Sequence, residues 1–146
     1  MKAMVLESLV DLTKESEPLK LTIVPEPVPG PREVLLKVLT CGVCHTELDE
    51  IEGRTPPPNL PVILGHQVVG VVATCGKDVS EFKIGDRLGV AWIFSSCGSC
   101  SYCHEGNENL CSQFRATGRD AHGGYAEFMV VPTDSAYLIP GQFSDA

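Results

Sequence analysis

Glycine and proline interrupt this chain so often that no long helix fits between them. Fourteen glycines and eleven prolines are spread over 146 residues, with clusters at Pro25–Pro31, Pro56–Pro61, Gly85-Asp86 and Gly123-Gly124. A helix interior is penalised by about 1 kcal/mol at glycine and about 3 kcal/mol at proline, so the room left suits short strands and turns. Between the clusters, Lys20–Val24, Val34–Thr40, Val68–Ala73 and Phe128–Val131 read as strands. Pro61–Leu64 and Arg87–Ala91 are strand-like as well. Only Thr46–Gly53 and Gly106–Phe114 read as short helices. The pattern predicts an all-β, barrel-like domain with a few helical turns and one long polar excursion, Ser95 to His122.

At roughly 150 residues per domain, the length allows one domain and leaves no room for a full dinucleotide-binding fold beside it. Apolar residues make up 43% and charged residues 21% of the chain, a globular balance. Eleven Lys+Arg against nineteen Asp+Glu give a net charge of −8, which argues against a nucleic-acid partner. There is no apolar run of membrane-spanning length, and Met1-Lys2-Ala3-Met4 opens no signal peptide. A cytoplasmic protein with no membrane partner is expected.

The excursion carries the strongest chemistry. Cys97, Cys100, Cys103 and Cys111 form C-x2-C-x2-C-x7-C. Four thiolates on a short loop suit tetrahedral zinc, and four sulfurs leave no open position, so such a site is structural. Gly98, Ser99 and Ser101 are small enough to let the chain wrap tightly. Disulfides and an iron–sulfur cluster are the rival readings, the first disfavoured in a reducing compartment.

Three cysteines remain, Cys41, Cys44 and Cys75. Cys41-x2-Cys44 lacks the βαβ context of a thioredoxin-like redox pair. Thr46-Glu47-Leu48-Asp49 reads as a helix start, with a hydroxyl cap and acids in the first turn. Cys44 and His45 then lie just before an electropositive helix end that favours a thiolate or a bound phosphate. Cys75 reads as an inert buried thiol. Among four histidines, His66 stands out between two strand-like runs, with Gly65 and Gly70 allowing close backbone approach. His104 reads as exposed in the cysteine loop and His122 as a turn residue before Gly123-Gly124.

Four motifs occur in order: Cys41-Gly42-Val43-Cys44-His45-Thr46-Glu47-Leu48, Gly65-His66-Gln67-Val68-Val69-Gly70, the four-cysteine loop, and Gly123-Gly124-Tyr125-Ala126-Glu127. Together they resemble the N-terminal GroES-like catalytic domain of zinc-dependent medium-chain alcohol dehydrogenases. The resemblance covers essentially residues 1–146 and implies a mainly β, partly open GroES-like barrel with short helices and a structural zinc loop. It implies that Cys44 and His66 are ligands of a catalytic zinc and that Thr46 takes the proton of the bound alcohol. His45 resembles the residue that meets the cofactor pyrophosphate. Cys97, Cys100, Cys103 and Cys111 resemble the structural zinc ligands. Trp92 resembles the aromatic wall of the substrate pocket, with a core aromatic as the alternative.

Three positions depart from the family pattern. Glu47 replaces an Asp that orients the histidine ligand, Gln67 replaces a Glu beside the metal, and Asp49 replaces a histidine that ends the proton relay. The implied reaction oxidises an alcohol to an aldehyde or ketone by hydride transfer to NAD or NADP. The third catalytic ligand and the Rossmann domain are expected beyond this chain. With that domain the resemblance implies a homo-oligomer. A stand-alone, non-enzymatic GroES-like zinc-binding module is the alternative.

Overall fold

A computed structural model describes residues 1–145. Valine- and leucine-rich runs bounded by turn residues form its main sheet, with five antiparallel strands in the order β10-β6-β5-β3-β9. These are β3 (Glu33–Cys41), β5 (Val68–Cys75), β6 (Arg87–Val90), β9 (Phe128–Pro132) and β10 (Ala136–Leu138). The β3–β5 register shifts between Leu35 and Leu36 and again between Val38 and Thr40. Such bulges bend and twist a strand, and the sheet curls into an open half-barrel. Leu36, Val72, Leu88, Met129 and Val131 fill its concave core.

A smaller sheet, β2-β1-β4, joins β1 (Lys2–Leu6), β2 (Leu19–Ile23) and β4 (Val62–Ile63). Leu6, Val62 and Leu64 bury Ile51 of α1 (His45–Ile51), which fixes that helix against the barrel. The excursion leaves along β7 (Ile93–Ser95) and returns along β8 (Arg115–Ala116), which pair with one another. Its helix, α2, spans Ser101–His104, and Glu108–Leu110 is a single 3-10 turn. A helix over Gly106–Phe114 is therefore not formed. Gly106 has φ +76, a conformation glycine adopts freely and one that ends α2. No helix among the described residues is long and apolar enough to cross a membrane.

The Gly123-Gly124 pair forms a backbone seam. The amides of Gly123, Tyr125 and Gly124 donate to the carbonyls of Ile63 (2.7 Å), Leu64 (3.0 Å) and Gly65 (2.8 Å), the three residues before His66. A Cβ on Gly123 would stand 2.1 Å from the Gly65 carbonyl oxygen, a clash no rotamer relieves. Gly123→Ala is therefore expected to destabilise the domain by about 2–3 kcal/mol. Gly141→Ala, whose Cβ would meet nothing within 4 Å, serves as the near-neutral control in urea unfolding. Equal midpoints for the two variants would refute the seam's importance.

Candidate metal sites

The cysteine loop brings its sulfurs together. The four Sγ atoms of Cys97, Cys100, Cys103 and Cys111 all lie within 4.8 Å of one another. Cys100 and Cys103 approach to 3.5 Å, and Cys97 and Cys103 to 3.9 Å. A tetrahedron with Zn–S bonds of about 2.3 Å has edges of about 3.8 Å, so the set fits one ion. Backbone amides point at the sulfurs: Ser99 N–H at Cys97, and Cys97 and Gln113 N–H at Cys111. The Ser99 amide and hydroxyl hold the Cys97 thiol well below its usual range, at about 6. The cysteines are free thiols, so the sulfurs converge without disulfide bonds. His104 is exposed at the end of α2.

The second candidate site lies where α1 begins. Cys44 is the N-cap, with extended backbone (φ −123, ψ 162), two residues earlier than the Thr46 cap expected from sequence. Glu47 closes the turn by accepting the Cys44 N–H at 2.8 Å. Thr46 sits inside the first turn, its Oγ1 3.5 Å from Cys44 Sγ. His45 is the first helical residue, with a side chain 76% exposed and Nε2 3.7 Å from Asp49. Asp49 is engaged by the Arg54 guanidinium.

His66 is buried between β4 and β5. Its Nδ1 lies 2.8 Å from Glu47 Oε1, so the longer Glu side chain reaches the histidine. The two atoms are in close polar contact without meeting the geometry of a straight hydrogen bond. With Nδ1 turned to Glu47, Nε2 is the nitrogen left to ligate a metal. One buried carboxylate thus ties the Cys44 backbone to the His66 ring. Among the described residues, Cys97, Cys100, Cys103 and Cys111 are the one group of three or more ligand side chains close enough to share an ion, and Cys44 and His66 belong to no such cluster. Trp92 meets the His66 ring edge-on at 4.9 Å, and Phe114 lies 6.3 Å beyond it. Gln67 is exposed, and its carbonyl accepts the Gly42 N–H.

Two further residues support this site in ways their local sequence does not announce. Tyr125 donates its hydroxyl to the Gly42 carbonyl at 3.3 Å. A Cβ on Gly65 would come within 2.7 Å of its ring, so Tyr125 braces the segments that carry both Cys44 and His66. Glu50 is fully buried on α1, and neither carboxylate oxygen has a hydrogen-bond partner among the described residues. Its placement one turn after Glu47 and beside Ile51, on the helix face that packs inward, is the signal that points to it. Burial, then the neighbouring Glu47 charge, pushes its pKa up to about 8.

That shift makes stability fall with rising pH. Below about 4.5 the carboxyl is protonated folded or unfolded; from there to about 8 only the unfolded chain releases the proton. Stability from Glu50 is therefore lost progressively across that window. Glu50→Gln should flatten the fall in unfolding midpoint between pH 5 and pH 8. An unchanged slope in the variant would remove Glu50 as its source.

Cys75 is half-buried, its thiol 3.7 Å from the Phe82 carbonyl, and lies away from both sites. Cys41 is packed beneath the second site, and burial pushes its thiol up to about 11. Cys41 thus lacks the environment of a reactive thiolate.

This combination of barrel and loop is shared with known proteins. The chain belongs to the alcohol dehydrogenase GroES-like domain family, whose pattern matches residues 30–141. It is 40% identical over 145 residues to an alcohol dehydrogenase of Geobacillus stearothermophilus, covering 99% of this chain and 41% of that protein. Its structure resembles an NAD-dependent alcohol dehydrogenase at 32% identity and a TM-score of 0.91, covering 99% of this chain and 41% of that one. It also resembles a cobalt- and zinc-bound thermostable alcohol dehydrogenase from Pyrobaculum aerophilum, at 31% identity and a TM-score of 0.85, covering 94% and 41%. The chain thus spans about 40% of the length of such relatives.

Proposed function

We propose that residues 1–146 are the zinc-bearing catalytic domain of an alcohol dehydrogenase that oxidises a small alcohol to an aldehyde or ketone, with NAD or NADP as hydride acceptor. The observation that carries this reading is the Glu47 carboxylate, which faces the Cys44 amide and the His66 Nδ1 at once. A purely structural module has no use for a second, histidine-containing ligand set beside a complete four-thiolate one.

Cys44 and His66 Nε2 would hold the catalytic zinc. Bound there, zinc supplies Lewis acidity that lowers the pKa of an alcohol toward neutrality. Thr46 Oγ1 is close enough to the thiolate to take the proton of a hydroxyl group bound beside it. Glu47 orients the imidazole and favours its Nδ1–H tautomer. Trp92 walls the pocket on the His66 side and helps exclude water. Exposed His45 is available to a cofactor phosphate. Cys97, Cys100, Cys103 and Cys111 hold the structural zinc. The nicotinamide is held by a separate domain, and the assembled protein acts in the cytoplasm as a homo-oligomer.

Cobalt(II) titration tests the ligand assignments without relying on turnover. Two spectroscopically distinct equivalents are expected, the tighter one showing four-thiolate charge transfer. Cys44→Ser and His66→Ala should each abolish the weaker and spare the tighter. A weaker equivalent that survives both substitutions would refute Cys44 and His66 as its ligands.

A further inference from the structure

An open cleft of about 400 Å3 lies between Asn59–Val62 and Arg115–His122. Its polar lining consists of Asn59, Arg115, Arg119, Asp120 and His122. Asp120 organises both guanidinium groups. Its carboxylate Oδ2 accepts Arg119 Nε–H and Nη2–H at 3.1 and 2.8 Å and the Ala116 amide at 2.7 Å. Its backbone carbonyl accepts Arg115 Nη2–H at 2.8 Å. One carboxylate, already occupied by three donors, therefore faces two fixed cations. Arg115 makes no ion pair among the described residues, so a positive charge is left over in a protein whose net charge is −8.

The arginines are also held by aromatic faces. Arg115 lies 5.2 Å over Phe94, and Arg119 lies 5.6 Å over Trp92. These contacts limit the side-chain freedom that would otherwise be lost on binding a ligand. His122 adds a neutral donor. Its Nδ1 accepts the Ile63 N–H at 3.2 Å, which places the ring proton on Nε2. The remaining guanidinium N–H groups, His122 Nε2–H and the Asn59 amide give the cleft a surplus of donors. Glu50, whose field reaches Arg119, is buried and held protonated near neutrality, so it does not cancel the charge.

We propose that this cleft is a carboxylate-binding subsite. Guanidinium groups match a planar carboxylate by paired N–H donors, a geometry neutral polar groups do not reproduce. The subsite also has an address. Arg119 covers the ring of Trp92, and Trp92 touches the ring of His66, so one aromatic side chain separates the cleft from the candidate zinc ligand. On the dehydrogenase reading above, on which this step rests, the substrate is an alcohol or aldehyde that carries a carboxylate several bonds from the reacting carbon.

The test is an NMR titration of this chain with glutarate, followed at the arginine Nε–H signals and the amides of residues 115–122. Saturable binding is expected, with glutaramide, the uncharged isostere, at least tenfold weaker. Arg115→Gln, on an exposed side chain, and Arg119→Lys, which keeps the charge but loses the fork, should each weaken glutarate at least tenfold. No binding by the folded chain, equal binding of glutaramide, or unchanged affinity in both variants would each overturn the proposal. Inorganic phosphate binding as tightly as glutarate would overturn the carboxylate assignment in favour of a general anion patch. Cobalt(II) in the same samples separates the two readings. A weaker cobalt equivalent indifferent to Cys44→Ser and His66→Ala, with glutarate binding intact, removes the dehydrogenase reading alone, and the reverse removes the subsite alone.

Discussion

Elemental analysis of the purified chain is expected to give close to one tightly held zinc, and Cys103→Ser is expected to abolish it. Among the described residues, none from 96 to 110 is buried, so this part of the loop has almost no apolar packing of its own. Its order rests on sulfurs gathered within 4.8 Å and on the amides that point at them. Four sulfurs gathered this closely suit a cation that would displace their protons and balance the thiolate charge. Metal affinity is then folding free energy for the loop. Serine at 103 removes one sulfur and should lower stability by about 3 kcal/mol or more. For a chain of this size that is roughly 10 °C in Tm. A preparation free of zinc, or disulfides found among these four cysteines, would defeat the assignment.

The second large effect is expected at Thr46. In the protein joined to its nicotinamide-binding part, Thr46→Ala should reduce kcat by about 10²- to 10⁴-fold, the usual contribution of a positioned proton-transfer group. Thr46→Ser keeps the oxygen beside Cys44 and should stay within about tenfold of the parent. Cobalt uptake should be unaffected in both, because Thr46 is not a ligand. Equal rates for the two variants would take Thr46 out of the reaction. Residues 1–146 alone should not reduce NAD with any alcohol, since hydride transfer depends on holding the nicotinamide against the substrate. Steady turnover by this chain would mean that it contains a cofactor site of its own.

The strands with long β-branched runs are legible in the sequence. β3, β5 and β9 fall within a few residues of Val34–Thr40, Val68–Ala73 and Phe128–Val131. β1 is not, because Lys2–Leu6 is short and its pairing with both β2 and β4 comes from distant parts of the chain. β7, β8 and β10 span two or three residues each and owe their existence to partners rather than to local pattern. The four-cysteine cluster is readable from its spacing: the sulfurs of Cys97, Cys100, Cys103 and Cys111 do converge. The helix inside that loop falls at Ser101–His104 rather than over Gly106–Phe114, because Gly106 at φ +76 ends it and only a 3-10 turn follows. Glu50, Tyr125 and Arg119 stay hidden for a different reason. Their roles depend on burial and on neighbours far along the chain. His122, a turn residue by its sequence context, is also tied to Ile63, 59 positions away.

Helix α1 has only seven residues, well under the length at which a helix persists by itself in water. Its first turn is secured by Glu47, the same side chain that faces His66. The carboxylate that closes the first turn of the helix is therefore also the one set against the histidine ring, so the start of α1 and the position of His66 are coupled through one side chain. Position 47 thus serves two contacts with a single carboxylate. A drift in either task would be felt at once in the other.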